Sequence, residues 1–241
     1  MAGENSENDV IETLDTGKAL ARELELLDRV SRDPSQRLLW LWQGTQSLVV
    51  PRKLAVHPRF KVAQSELASS GWTVETRATG GDATPQGPGI VNVTHVYALP
   101  PSAHFDMDAE YDRLCRPIET ALGPRASRGW QAGAFCDGAH NVQWNGLKFA
   151  GTAMRFRPSR ADRSRITVMA HALMLFDRPR NEAITAINRL LSALDQDRVI
   201  HIGAHTGLPL DLEPHTFCGR LISEFARLPL PESPTLLEPA A

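Results

Sequence analysis

Between Asp15 and Val30 the apolar residues Ala19, Leu20, Leu24, Leu26 and Leu27 recur among charged ones at helical spacing, with Asp15 or Thr16 available as an N-cap. This pattern predicts an amphipathic helix that packs one face on a sheet. Arg37 to Gln43 and Ser47 to Val50 are short apolar runs separated at Gly44 and stopped by Pro51, so they predict two strands in hairpin-like succession. A shorter helix is expected near Lys61 to Ser70 and a strand over Trp72 to Thr76. Another strand is expected over Ile90 to Leu99, where apolar and polar positions alternate as in a strand with one buried face. Phe105 to Leu122 reads as a helix, followed by a linker holding Gly123, Pro124 and Gly129. Strands are expected at Val142 to Trp144, Lys148 to Phe156 and Ile166 to Phe176, and a closing helix pair at Asn181 to Leu194 and Thr216 to Leu228. Strands in runs, helices before and after, and no regular strand and helix alternation favour an α+β domain around a mainly antiparallel sheet flanked by helices. One such domain is expected over residues 15–230, between a mobile N-terminus (1–14) and a Pro-rich disordered tail (231–241).

Composition narrows the function classes. The chain has 241 residues, 42% of them hydrophobic and 22% charged, which is enough to build a sizeable core. Its 26 basic and 28 acidic residues give a formal charge of −2, which excludes a protein dominated by a positive field for nucleic acid. No run approaches the roughly 18 apolar residues of a membrane span, and the opening is polar and acidic where a secretory signal would be basic and then apolar. A soluble, cytoplasmic protein with no membrane partner is the expectation. Cys115, Cys136 and Cys218 are far apart and form no C-x-x-C pair, so they are expected as reduced thiols. The sequon at Asn92 would matter only in a secreted protein.

Two segments carry candidate chemistry. Thr79 to Gly89 is glycine-rich, and successive glycines let backbone N–H groups close on an anion. It has no Gly-Lys-Ser/Thr and no G-x-G-x-x-G, and it also reads as a tight connection between strands. Lys148 lies in an otherwise small and apolar strand beside Ala150, Gly151 and Ala153. It reaches a sheet edge or points at a bound anion or carbonyl. His201, His205 and His215 tempt a metal reading, but the chain around Gly203 looks extended, so the spacing does not make one helical face and no metal site is expected. Asp106, Asp108, Glu110 and Asp112 read as the solvated start of a helix.

Taken together, R-x-[ST]-G-G at Arg77 to Gly81, the Asn92 strand Ile90-Val-Asn-Val-Thr94, Asn141, K-x-x-G-[ST]-A at Lys148 to Ala153, and His171 to Asp177 resemble the catalytic domain of lipoate-protein ligases and their biotin ligase and octanoyltransferase relatives. The likeness runs from about residue 17 to about residue 210. It implies a mixed sheet like that of class II aminoacyl-tRNA synthetases. It also implies a lipoyl or octanoyl substrate, ATP and Mg²⁺ for an acyl-adenylate, and transfer to a lysine of a lipoyl carrier domain from a 2-oxoacid dehydrogenase or a glycine cleavage protein. Lys148 then matches the lysine at the acyl carbonyl and phosphate, Arg77 the arginine at the nucleotide or acyl phosphate, Gly80 and Gly81 the loop over the acyl chain, and Asn92 the asparagine of the next strand. Thr79, Asn141, Gly151, Thr152, Ala153, His171 and Ala172 complete the implied substrate-binding set.

The departures point elsewhere. Asp82 stands at the third glycine of the loop, where a carboxylate repels phosphate unless a metal or Arg77 intervenes. Gln86 and Gly87 replace a histidine and an aspartate usual in ligases, and Asn141 replaces a frequent aspartate. A separate C-terminal domain is not expected, which leaves room for an accessory subunit. The alternatives are a thioester-forming transferase, for which Cys136 is the best thiol although it also reads as a structural cysteine, and a non-catalytic acyl-binding relative with a decayed adenylation site.

Overall fold

A computed structural model describes residues 10–101, 105–230 and 234–239 of the chain. Its elements in order are β1 (Ile11–Leu14), α1 (Thr16–Arg32), β2 (Leu38–Gly44), β3 (Ser47–Pro51), α2 (Arg52–Ala55), α3 (Phe60–Ser69), β4 (Thr73–Arg77), β5 (Thr84–Gln86), β6 (Ile90–Ala98) and α4 (Met107–Leu122). Then follow β7 (Ala126–Arg128), β8 (Val142–Trp144), β9 (Leu147–Pro158), β10 (Ile166–Leu175), α5 (Asn181–Ala193), a 3₁₀ turn (Ile202–Ala204), α6 (Pro214–Ala226) and β11 (Thr235–Leu236). The α+β class with a mixed, mainly antiparallel sheet is present. The large sheet runs β1-β2-β6-β10-β9-β8-β7. Within this sheet, among the described residues, β1 and β11 pair in parallel, both against β2, and the other strand pairs are antiparallel.

The helix expected from Asp15 starts as its sequence suggests, with the Asp15 carboxylate accepting from Lys18 N at 3.0 Å. The expected hairpin of the next two runs does not form. β2 belongs to the large sheet, whereas β3 is the centre of a second, three-stranded sheet ordered β4-β3-β5. The chain switches sheets at Gly44 to Gln46, where Thr16 Oγ1 donates to Thr45 O at 2.9 Å and accepts from Ser47 Oγ at 2.9 Å. Every residue of β3 is buried, so each of its edges already has a partner.

β6 was expected to bury one face and instead buries all nine residues. Its polar positions are satisfied inside the protein: Thr94 Oγ1 donates to Glu23 at 2.7 Å and His95 accepts from Arg37 at 2.9 Å. The reason is that α1 covers one face of the large sheet while α4 and α6 cover the other. The acidic cluster at the start of α4 is also not all solvated. Asp106 caps the helix, but Glu110 is buried, accepting from Tyr97 Oη and pairing with Arg113 at 3.1 Å.

Of the segment expected to be mobile, residues 1–9 lie outside the described residues, while residues 11–14 pair with β2. In the expected tail, residues 231–233 and 240–241 are likewise outside, and Thr235–Leu236 extends the same sheet edge. A third core, built from the small sheet with α2, α3 and α5, holds the second sheet against the end of β10. The cleft between the two sheets is where the motif residues meet.

Candidate active site

The cavity between the sheets is about 40 Å³. The small sheet contributes Val49, Arg77, Thr84 and Gln86, the large sheet Trp42, Asn92, Gly151, Thr152, Ala153, His171 and Leu173, and the loop before β8 contributes Cys136. Pleating explains the large-sheet set: Gly151 opposes Leu173 and Ala153 opposes His171 across β9 and β10, so the four share a face. Ala172 faces the other way into the main core, so it is a packing residue and does not meet the cavity, contrary to the expectation.

Lys148 does not reach a sheet edge. It lies on β9 between β8 and β10, with no exposed surface, and its Nζ donates to Phe135 O at 2.6 Å and Cys136 O at 2.8 Å. Burial pushes its pKa down to about 8, opposed by the nearby Cys136 and Asp137. The lysine therefore pins the loop that carries Cys136. A Cβ at position 151 would come within 3.0 Å of Nζ, so glycine there leaves the ammonium its room.

The same loop is held from three other sides. His205 accepts Phe135 N–H at its Nε2 (3.2 Å), bonds His201 O through Nδ1 (3.0 Å), and stacks on the Phe135 ring. Both ring nitrogens are thus engaged, which leaves His205 no lone pair for a metal. Asn141 donates to Asp137 Oδ1 at 2.9 Å, which also accepts from Gln131 N at 2.6 Å, and Thr152 Oγ1 donates to His140 O at 2.9 Å. These anchors hold Cys136 at a positive φ of 46°, a conformation an L-residue adopts only under such constraint.

Burial and the neighbouring Lys148 charge lower the His205 pKa to about 4. The unfolded imidazole, near 6.5, takes up its proton before the folded one, so this stability is complete above about pH 6.5 and is lost as the pH falls through 4. The loss should approach about 3 kcal/mol. Urea midpoints measured between pH 7 and 4, in the native chain and in His205→Asn, check it: the variant should lack this component of the acid slope.

Arg77 is not free to meet a phosphate. Its guanidinium donates to Gly80 O (2.9 and 3.1 Å), Asp82 O (2.7 Å), Val49 O (3.3 Å) and Thr84 Oγ1 (3.2 Å), and approaches Cys136 Sγ at 3.8 Å. It is the clasp of the glycine loop. The Asp82 carboxylate is paired with Arg198 from the segment after α5, not with Arg77. Asp82 N–H donates to Cys136 Sγ at 3.2 Å. Gly81, at φ +94°, permits this closure: a Cβ there would sit 2.7 Å from Cys136 Sγ and 2.8 Å from Arg77 Nη2. Gly80 lies exposed on the outer side of the loop with open space around it. In this arrangement the Arg77 guanidinium, the Asp82 carboxylate and the Asn141 amide are each engaged by groups of the protein itself.

Asn92 forms a reciprocal amide pair with Gln86, at 2.9 and 3.0 Å, which explains why glutamine suits position 86 here. Thr79 Oγ1 and His171 Nε2 are 3.0 Å apart, and His171 Nδ1 lies 2.9 Å from Glu23 Oε1. Sequence reasoning missed Glu23, Asp137 and Arg198, and weighed His205 only as a metal ligand. Glu23 had a signal, since it is a charge inside the buried stripe Ala19, Leu20, Leu26, Leu27 and Val30. Arg198 had none.

A family model, the lipoyl protein ligase A/B catalytic domain, matches residues 15–226, and the chain belongs to that family. The family comprises lipoate-protein ligases and octanoyltransferases, which are enzymes. The chain is similar to an uncharacterized protein of Cupriavidus necator, 36% identical over 193 residues, covering 74% of this chain and 75% of that one. It is also similar to an octanoyl-[GcvH]:protein N-octanoyltransferase of Kyrpidia tusciae, 33% identical over 176 residues, covering 70% of this chain and 60% of that protein. Two solved structures share the fold: lipoate-protein ligase A bound with ATP (TM-score 0.61, 18% identity, 90% of this chain and 83% of that one), and a bipartite lipoate protein ligase from Thermoplasma acidophilum (TM-score 0.55, 18% identity, 90% and 81%). Among the described residues no helix is long and apolar enough to cross a membrane, and no cluster of three or more His, Cys, Asp or Glu side chains could hold a metal ion.

Proposed function

We propose that the protein is an acyltransferase that carries an octanoyl or lipoyl group as a thioester on Cys136 and passes it to a lysine of a lipoyl carrier protein, such as GcvH or a 2-oxoacid dehydrogenase lipoyl domain. The observation that carries this reading is the position of Cys136. Its sulfur lines the cavity, faces the Asp82 N–H and the Arg77 guanidinium, and belongs to a peptide whose carbonyl is bound by Lys148.

In the first half-reaction the sulfur attacks the donor's acyl carbonyl carbon. The C–S bond forms, the bond to the donor breaks, and the thiol proton ends on the leaving group. In the second, the carrier amine attacks the thioester, a C–N bond forms, the C–S bond breaks, and the thiol is restored. Lys148 Nζ, buried beside Gly151, is assigned as the fixed cation for the oxyanion that develops in each step. The acyl chain occupies the apolar side of the cleft, between Leu20, Val49 and Leu173. A reducing compartment such as the cytoplasm suits a nucleophile that must stay a thiol.

The competing route within the family is activation of free acid by ATP. Incubation with octanoyl-GcvH and no ATP is expected to give an octanoyl adduct on the peptide containing Cys136, labile to hydroxylamine, followed by transfer to a second carrier. Transfer that requires free octanoate and ATP, with no adduct on Cys136, would replace this reading with the acyl-adenylate route. No transfer under either condition would favour a non-catalytic acyl-binding relative.

A further inference from the structure

We propose that the β9–β10 hairpin is the docking surface for an acidic face of the carrier protein. The identity of the carrier rests on the transferase reading above, while the surface itself rests on charge and geometry. Residues 155–165 carry Arg155, Arg157, Arg160, Arg163 and Arg165 against one acid, Asp162. Arg32 at the end of α1 adds to them. Asp28 is shared by Arg32 (2.7 Å), Arg157 (2.8 Å) and Arg160 (2.8 Å), and Asp162 pairs with Arg165 at 3.4 Å. The neighbouring Arg29 and Asp33 cancel in charge. Six guanidiniums therefore meet two carboxylates, an excess of four positive charges on a chain whose formal net charge is −2. The local field opposes the sign of the whole molecule.

Position links this charge to the cavity. Residues 151, 153, 155 and 157 of β9 point to one face, and Gly151 and Ala153 line the cavity, so Arg155 and Arg157 continue the same row outward. Arg157 lies about 13 Å beyond Ala153 at roughly 3.3 Å per residue. Arg155 Nη1 donates to Ala78 O at 2.9 Å, beside Thr79 of the glycine loop. The hairpin is also fixed in place: Arg160 N and Ala161 N donate to Ser31 O at 2.7 and 3.1 Å, and Ser159 Oγ bonds Thr167 Oγ1 at 2.6 Å.

An enzyme that moves an acyl group to a lysine of a folded carrier has to seat a protein within one side-chain length of Cys136. The arginine row begins at that mouth. A polynucleotide is the poorer fit, because the hairpin offers no stacking platform on this face. Phe156, the one aromatic among residues 155–165, points to the opposite face and packs on Phe105.

Titration of the full chain with unmodified GcvH tests the surface without any chemistry. Binding is expected to weaken between about 50 and about 200 mM salt. The pair Arg160→Glu and Arg163→Glu should weaken it at least ~10-fold at the lower salt. Arg163→Glu alone, at the exposed tip, should give a smaller loss in the same direction and guards against misfolding of the double variant. Acylation of Cys136 by a small neutral octanoyl thioester should be unchanged in both. Absence of GcvH binding, salt-insensitive binding that survives both substitutions, or displacement of GcvH by a short single-stranded RNA would overturn the proposal. Failure of Cys136 acylation in the unsubstituted protein would instead remove the transferase reading, with the titration still deciding the surface.

Discussion

Cys136→Ser is expected to lower octanoyl transfer to a carrier lysine by at least ~10³-fold while leaving the fold intact. The loop that carries residue 136 is held by Lys148, His205, Asn141 and Thr152, none of which bonds the sulfur. Among the described residues the Asp82 N–H and the Arg77 guanidinium address Sγ, and a serine hydroxyl accepts from both. Packing is therefore nearly unchanged and the loss falls on nucleophilicity, because a hydroxyl without a base is a far weaker nucleophile than a thiol. Single-turnover transfer from octanoyl-GcvH, compared with urea midpoints of both proteins, checks the expectation. A variant that retains transfer at a tenth of the native rate or more would show that acyl groups do not pass through residue 136.

Lys148→Met should cost transfer ~10²- to 10³-fold. Two opposing terms set the stability. Losing the ammonium leaves the carbonyls of Phe135 and Cys136 without their donor, at about 1–3 kcal/mol for each unsatisfied group. Removing a buried cation recovers the cost that pushes the lysine pKa from 10.5 down to about 8, about 3 kcal/mol. The two carbonyls together cost about 2–6 kcal/mol against the about 3 recovered, so the denaturant midpoint has to be read beside the rate.

A pH signature accompanies the stability. In the native protein the unfolded lysine keeps its proton between pH 8 and 10.5 while the folded one has released it, so stability from this group rises with pH across that window. The Met variant should lack this rise. Denaturant midpoints at pH 8 and 10 together with the single-turnover rate test both halves; an unchanged rate in Lys148→Met would remove the lysine from the chemistry.

Much of the domain was legible in the chain. Helical spacing with an Asp15 cap located α1, and short β-branched and apolar runs located β6, β9 and β10 to within a residue or two. The motif residues Arg77, Gly81, Asn92, Lys148 and Gly151, scattered between positions 77 and 151, do converge, because each lies at a strand or loop position whose type its neighbours specify. Periodicity reports such local geometry and the side that is buried.

What local pattern cannot report is which side chains meet across the fold, and here that decided the chemistry. The split of β2 and β3 into two sheets, the burial of β6 on both faces and the outward turn of Ala172 all follow from layers that pack on the strands after they form. Arg77 looked like a phosphate ligand until the fold placed five carbonyl and hydroxyl acceptor contacts around its guanidinium. Cys136 looked like a loop cysteine until a glycine loop 54 residues away in sequence laid a peptide N–H on its sulfur. Pairings of that kind, like Glu23 with His171 across 148 residues, depend on the packed distance between atoms, and the order of residues along the chain carries no measure of it.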